Sequence, residues 1–209
     1  MDFQWNLKGA SDQARTEMVR LGLPAAALPD HYALLRNTAL ALAEERGLDK
    51  METARRIDAI YDRYDVDALS RWSLQPGVAP LLPWLKGKQV KLGLVSNICR
   101  MAIEQALTRF GVGGFFDCVV TRDDVEKMKP SGEGIHRALA RLGARPSEAL
   151  FVGDSVSDIQ AAQDAGVRVA IVQGGESAPA SLIAAGPTFL WANIHELETV
   201  YTGGDSKSP

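Results

Sequence analysis

FVGDSVSDIQAAQDAG, residues 151–166, is an apolar run that stops at Gly153 and Asp154, sets Asp158 four residues further on, and turns into an alanine-rich helical pattern. A short apolar run followed at once by a helix reads as a strand feeding a crossover helix. The two carboxylates at that junction then need a reason to be there.

Working outward, the same alternation repeats from Gln75 onward. VKLGLVSN (90–97), FDCVVT (116–121), ALFVGD (149–154), RVAIVQGG (168–175) and PTFLW (187–191) read as strands, with helices near 99–110, 132–143, 156–165 and 177–185 between them. Strands that alternate with helices must run parallel, because a parallel neighbour needs a crossover, and such sheets are covered on both faces. The fold class is therefore α/β, a Rossmann-like parallel sheet with helices on both faces. Upstream the style changes. From residue 11 to 72 the pattern is helical throughout, broken by Gly22, Pro24, Pro29 and Gly47. That block reads as an all-helical cap inserted after the first strand. The expected division is a core domain of residues 1–10 and 73–201, a cap of 11–72 and a flexible tail of 202–209. About five or six strands are expected, built from residues 2–7 and 88–192.

Composition excludes several classes. The 209 residues are 46% hydrophobic and 23% charged, ordinary for a globular chain with a real core, and the net charge of −3 gives no pull toward nucleic acid or anionic membrane. No stretch approaches the length of a membrane span, and no signal-peptide pattern opens the chain, so a cytoplasmic location is expected. Cys99 and Cys118 lack metal-ligand spacing and read as packed thiols of a reducing compartment. His31, His136 and His195 read as surface or interface residues, and Trp72, Trp84 and Trp191 as packing. Arg36 and Arg71 are candidates for a cap-side anion contact.

Ligands of open α/β sheets bind where the strands end. Ser96 and Asn97 end one strand, with a hydroxyl and backbone N–H groups suited to phosphate. Lys129, beside Pro130, opens a helix where its ammonium can reach an anion. Asp154 ends a strand and Asp158 lies one turn into the next helix, so both can point into one small volume, where a hard cation such as Mg²⁺ would relieve their repulsion. Each has a plainer reading alone: a helix cap, a solvated lysine, a cap with a charged first turn. Three strand ends carrying a hydroxyl, a lysine and paired carboxylates in order favour an anion and metal site.

LGLVSN, KMKPSGEGIHRALARLGARPSEALFVGDSVSDIQAAQDAG and the preceding LQPGVAPLLPWLK resemble the second, third and fourth motifs of the haloacid dehalogenase superfamily, in its phosphoglycolate phosphatase-like branch with a helical cap. The resemblance covers residues 75–200 closely, and the cap only in helical character and position. It implies a Mg²⁺-dependent phosphomonoesterase acting on a small phosphorylated metabolite through an aspartyl-phosphate. By that similarity Ser96 hydrogen-bonds the phosphoryl group, Asn97 and Lys129 belong to the phosphate site, Lys129 also stabilises the nucleophile's charge, Asp154 ligates the metal and Asp158 supports it.

The first motif departs from the family. Where an Asp-x-Asp pair is expected the chain reads Gln4-Trp5-Asn6, with Gln4 at the nucleophile position and Asn6 at the acid/base position. An amide is a poor nucleophile toward phosphorus and brings the metal no charge. A missing segment, a degenerate motif and a deliberate double substitution compete as explanations. The family's first strand lies centrally in the sheet and something must fill that slot, which favours residues 2–7 as a degenerate strand. Two functions follow: a phosphatase with impaired activity, or a pseudophosphatase that binds a phosphorylated ligand or a protein without turnover.

Overall fold

The computed structural model describes residues 5–203. Three long helices come first: α1 (Leu7–Arg20), α2 (Tyr32–Glu45) and α3 (Lys50–Leu69). Asn6 and Asp49 cap α1 and α3, their side chains accepting from Gly9 N and Glu52 N, which satisfies amides that have no partner within the helix. Ala10, Ala14 and Met18 form a stripe four residues apart on α1 and pack with Leu35, Ala39, Ile57 and Tyr61. No strand lies in 11–72, as the helical pattern required.

After α4 (Val78–Gly87) the alternation appears: β1 (Gly93–Val95), α5 (Arg100–Arg109), β2 (Cys118–Val120), α6 (Glu133–Leu142), β3 (Leu150–Gly153), α7 (Val156–Asp164), β4 (Arg168–Val172), α8 (Pro179–Ala185), β5 (Phe189–Trp191) and α9 (Glu196–Gly203). All strand pairs run parallel. Successive strand residues face opposite ways, so Leu94 and Val119 pack with α5 while Val95 meets α6. Gly134 permits that second contact, since a Cβ there would stand 2.8 Å from Val95 Cγ1.

The expected single sheet is two. Among the described residues β1 pairs with β2 alone, and β3–β4–β5 form a separate sheet. The strands of β1 and β3 are half-exposed, whereas Val169, Ala170 and Ile171 of β4 are buried between two neighbours. Five strands are present among these residues, and the expected strand at 2–7 is corrected where it can be followed. Trp5 and Asn6 are not extended strand, Asn6 is a helix cap, and Leu7 opens α1. Gln4 lies outside the described residues. At the other end, α9 runs into the segment expected as a flexible tail. No helix among the described residues is long and apolar enough to cross a membrane.

Arg122, just after β2, ties the helical layer to the sheet. Its side chain is fully buried; Nη2 bonds Asp62 and lies 3.1 Å from Asp65 Oδ2, Nε lies 3.3 Å from Asp58 Oδ1, and Nη1 donates to Asn97 O at 3.0 Å. Asp58, Asp62 and Asp65 stand at i, i+4 and i+7, one stripe of α3 aimed at one guanidinium. Asp62, Asp65 and Cys99 have the spacing of a metal cluster. The Arg122 cation already serves those carboxylates, and burial pushes the Cys99 thiol up to about 12, so it remains protonated.

Candidate active site at the carboxyl edge

The loops that leave β1, β2 and β3 bring Ser96, Lys129, Asp154 and Asp158 to the same edge of the fold. Lys129 spans the two sheets: its Nζ donates to Asp158 Oδ1 at 2.7 Å and lies 3.5 Å from Val95 O, the last carbonyl of β1. Its stem passes over the Phe151 ring, with Nζ 5.7 Å from the centroid.

Asp158 is buried and fully engaged. Oδ2 accepts from Asp154 N at 3.1 Å, Ser155 N at 3.1 Å and Ser155 Oγ at 2.8 Å, while Ser155 Oγ accepts from Asp158 N. This reciprocal cap starts α7 and fixes the carboxylate at the end of β3. Burial alone would push the Asp158 carboxyl up, but the Lys129 ammonium and these hydrogen bonds hold it below its ordinary value.

Asp154 behaves oppositely. Burial, and then the neighbouring Asp158, raise its carboxyl above the ordinary value. Among the described residues no lysine or arginine ion-pairs with it. Its side chain lies against Gly175, in the loop after β4, where an added Cβ would come within 2.3 Å of Asp154 Cβ. Glu176 follows. Its carboxyl is also raised, by desolvation and then by Asp154 and Asp158, which places a third acid in the same field. Its place just beyond a strand's carboxyl end, after Gly174-Gly175, is a signal the sequence reading passed over. Asp154, raised by desolvation and then by Asp158, offers hard oxygen donors of the kind a divalent cation such as Mg²⁺ takes.

The other candidates separate. Ser96 Oγ accepts from Ile98 N at 3.2 Å, and its own N–H extends the β1–β2 ladder to Val120 O. Its hydroxyl proton remains available to donate, as an anion requires. Asn97 is placed at the same edge. Its carboxamide is buried and committed to the Lys129 backbone and to Tyr32 Oη. Asn6 is spent on capping α1. Arg36 is spent in a fork on Asp58, at 2.7 and 2.9 Å, and on Glu126 O, while Arg71 pairs with Asp67; both leave the expected anion contact unfilled.

Comparison with known proteins places the chain among relatives of one kind. Pyrophosphatase PpaX of Bacillus cereus (strain AH820) is 41% identical over 113 residues, 54% of this chain and 52% of that protein. PpaX of Bacillus velezensis is 38% identical over the same length. The chain spans about half the length of the curated relatives it matches. A putative haloacid dehalogenase-like hydrolase from Bacteroides fragilis shares the fold, with a TM-score of 0.67 at 21% identity over 94% of this chain and 96% of that one. So does a predicted phosphoglycolate phosphatase from Haemophilus somnus, with a TM-score of 0.63 at 21% identity over 94% and 90%. The sequence profile of the haloacid dehalogenase-like hydrolases matches residues 30–172, which take in the helical layer, Ser96, Lys129 and the Asp154–Asp158 pair. With two thirds of its length inside that profile, the chain belongs to the haloacid dehalogenase-like hydrolase family.

Proposed function

We propose that this chain binds a small phosphorylated metabolite at the carboxyl edge as a Mg²⁺-dependent phosphomonoesterase of the phosphoglycolate phosphatase kind does, and that it turns the ester over poorly. The observation that carries the reading is the Lys129 ammonium, held between Val95 O and Asp158 beside an Asp154 that has no cationic partner among the described residues. That arrangement supplies a positive charge for phosphoryl oxygens and a carboxylate for a cation. Ser96 would donate its hydroxyl proton to a phosphoryl oxygen, and Lys129 would offset the charge on the transferring group. Asp154 would hold Mg²⁺, with Asp158 supporting the site through Lys129. When bound, the ion supplies charge neutralisation and orientation of the phosphoryl oxygens. The pyrophosphatase relatives make pyrophosphate a second anion of the same chemistry to try. Poor turnover is expected from the sequence, which reads Gln4-Trp5-Asn6 where the resemblance calls for an Asp-x-Asp pair; Asn6 itself caps α1 through Gly9 N.

The test pairs calorimetric titration of inorganic phosphate, with and without Mg²⁺, with release of phenol from an aryl phosphate. Expected are Mg²⁺-assisted phosphate binding and turnover well below about 1 s⁻¹. Turnover at or above that rate would show that another carboxylate attacks. Absence of phosphate binding would remove the reading altogether.

A further inference from the structure

The backbone of residues 126–129 is held mainly by side chains of other segments, with Met128 O also accepting from Ser131 N at 3.0 Å. Glu126 N and Lys127 N donate to the Glu133 carboxylate at 3.0 and 2.8 Å, and Glu126 O accepts from Arg36 Nη1 at 2.7 Å. Two carboxamides then take the next two residues. Asn37, on α2, accepts from Met128 N and donates to Met128 O, both at 2.9 Å. Asn97, at the end of β1, accepts from Lys129 N at 2.9 Å and donates to Lys129 O at 3.1 Å.

A carboxamide carries one donor edge and one acceptor edge, so it can stand in for a strand neighbour at a single residue. Met128 and Lys129 are gripped in succession, the first by an amide from the helical layer and the second by an amide from the end of β1.

We infer that Asn37 and Asn97 are positioning residues for Lys129, the two amides clamping its backbone so that Nζ lies between Val95 O and Asp158. A lysine reaches its target through a flexible four-carbon stem, so the place where its backbone is fixed decides whether the ammonium is delivered or wanders. Asn97 holds the Lys129 backbone directly, and Asn37 adds a grip one residue earlier on Met128, whose side chain is buried in the helical cluster and whose carbonyl also accepts from Ser131 N. Asn37 does so from α2, whose Tyr32 also meets Asn97 through its hydroxyl at 3.3 Å. The helical layer thus sets the Lys129 charge without touching the anion. The inference rests on the phosphate-site reading above.

The experiment is a double-mutant cycle on the full chain, read by titration of inorganic phosphate with Mg²⁺ present. Asn37→Ala is expected to weaken phosphate binding roughly 3- to 10-fold, the scale of one or two lost hydrogen bonds. In a Lys129→Ala background the same substitution is expected to change nothing further, because the group it acts through is gone. Asn37→Asp keeps the acceptor for Met128 N but not the donor for Met128 O, and should fall between. Leu107→Val, on the buried face of α5, should lower the melting temperature while leaving phosphate affinity unchanged. Equal affinity for Asn37→Ala and wild type would overturn the inference, as would equal weakening in both backgrounds, which marks a general structural loss. If wild type and Lys129→Ala bind phosphate alike, the phosphate-site reading itself fails and the inference falls with it.

Discussion

The Arg122 guanidinium and the Asp65 carboxylate meet 3.1 Å apart with neither side chain exposed to solvent. Burial raises the Asp65 carboxyl even against Arg122, and Cys99 N gives its Oδ2 a further hydrogen bond at 3.0 Å. Breaking a buried pair costs more than the pair contributes, because a charge is left without its partner. Arg122→Met strands the buried Asp65 and takes one partner each from Asp58 and Asp62, and should lower unfolding stability by about 3–5 kcal/mol in urea titration. A loss below about 1 kcal/mol would mean that water reaches the seam and screens it.

Lys129 and Asp158 form a second such pair, at 2.7 Å. Lys129→Met should cost about 2–4 kcal/mol and move the Asp158 carboxyl upward, since only burial and hydrogen bonds remain. The sign of the pH effect then reverses. In wild type the pair's contribution is present above the ordinary carboxylate value and is lost as pH falls; in the variant stability is lost as pH rises through the raised value. Adding Asp158→Asn should restore most of the stability but none of the phosphate affinity. Recovery of both would place the anion away from Lys129.

Asp124 offers a cleaner titration. Against an upward push from burial, hydrogen bonds from Arg141 and Thr121 and the Arg100 charge hold its carboxyl down to about 2. Its contribution is therefore complete above pH 3.8 and is lost as pH falls from there toward 2. Asp124→Asn should cost about 1–2 kcal/mol at pH 6, the arginines being partly exposed, and the difference from wild type should vanish near pH 2. A difference independent of pH would assign the effect to packing instead.

The strands were legible because each is a short apolar run ending in a polar residue; FVGD became β3 and GLVS became β1 with only the ends trimmed. Asp154 and Asp158 were legible for the same reason, since strand-end position is a local property. What could not be read were pairings between distant segments. Asp58, Asp62 and Asp65 look in sequence like a solvated helix face, and only the fold brings Arg122, some sixty residues on, to meet them. Asn97 looked like an anion donor because a strand end is where anions bind; that its amide is consumed by Lys129 depends on a loop thirty residues away. The strand expected at 2–7 failed at Leu7 because Asn6 offers a cap to Gly9 N, and a capped helix satisfies those amides locally.

Met128 carries one more consequence. Its side chain has no solvent exposure and completes the apolar cluster of α1, α2 and α3, though it belongs to the segment that precedes Lys129. The helices at the start of the chain are thus short of a core residue until a part of the chain more than fifty positions later has arrived. The helical layer therefore completes its core only with a residue of the other layer, and a single shared melting transition is the expected outcome.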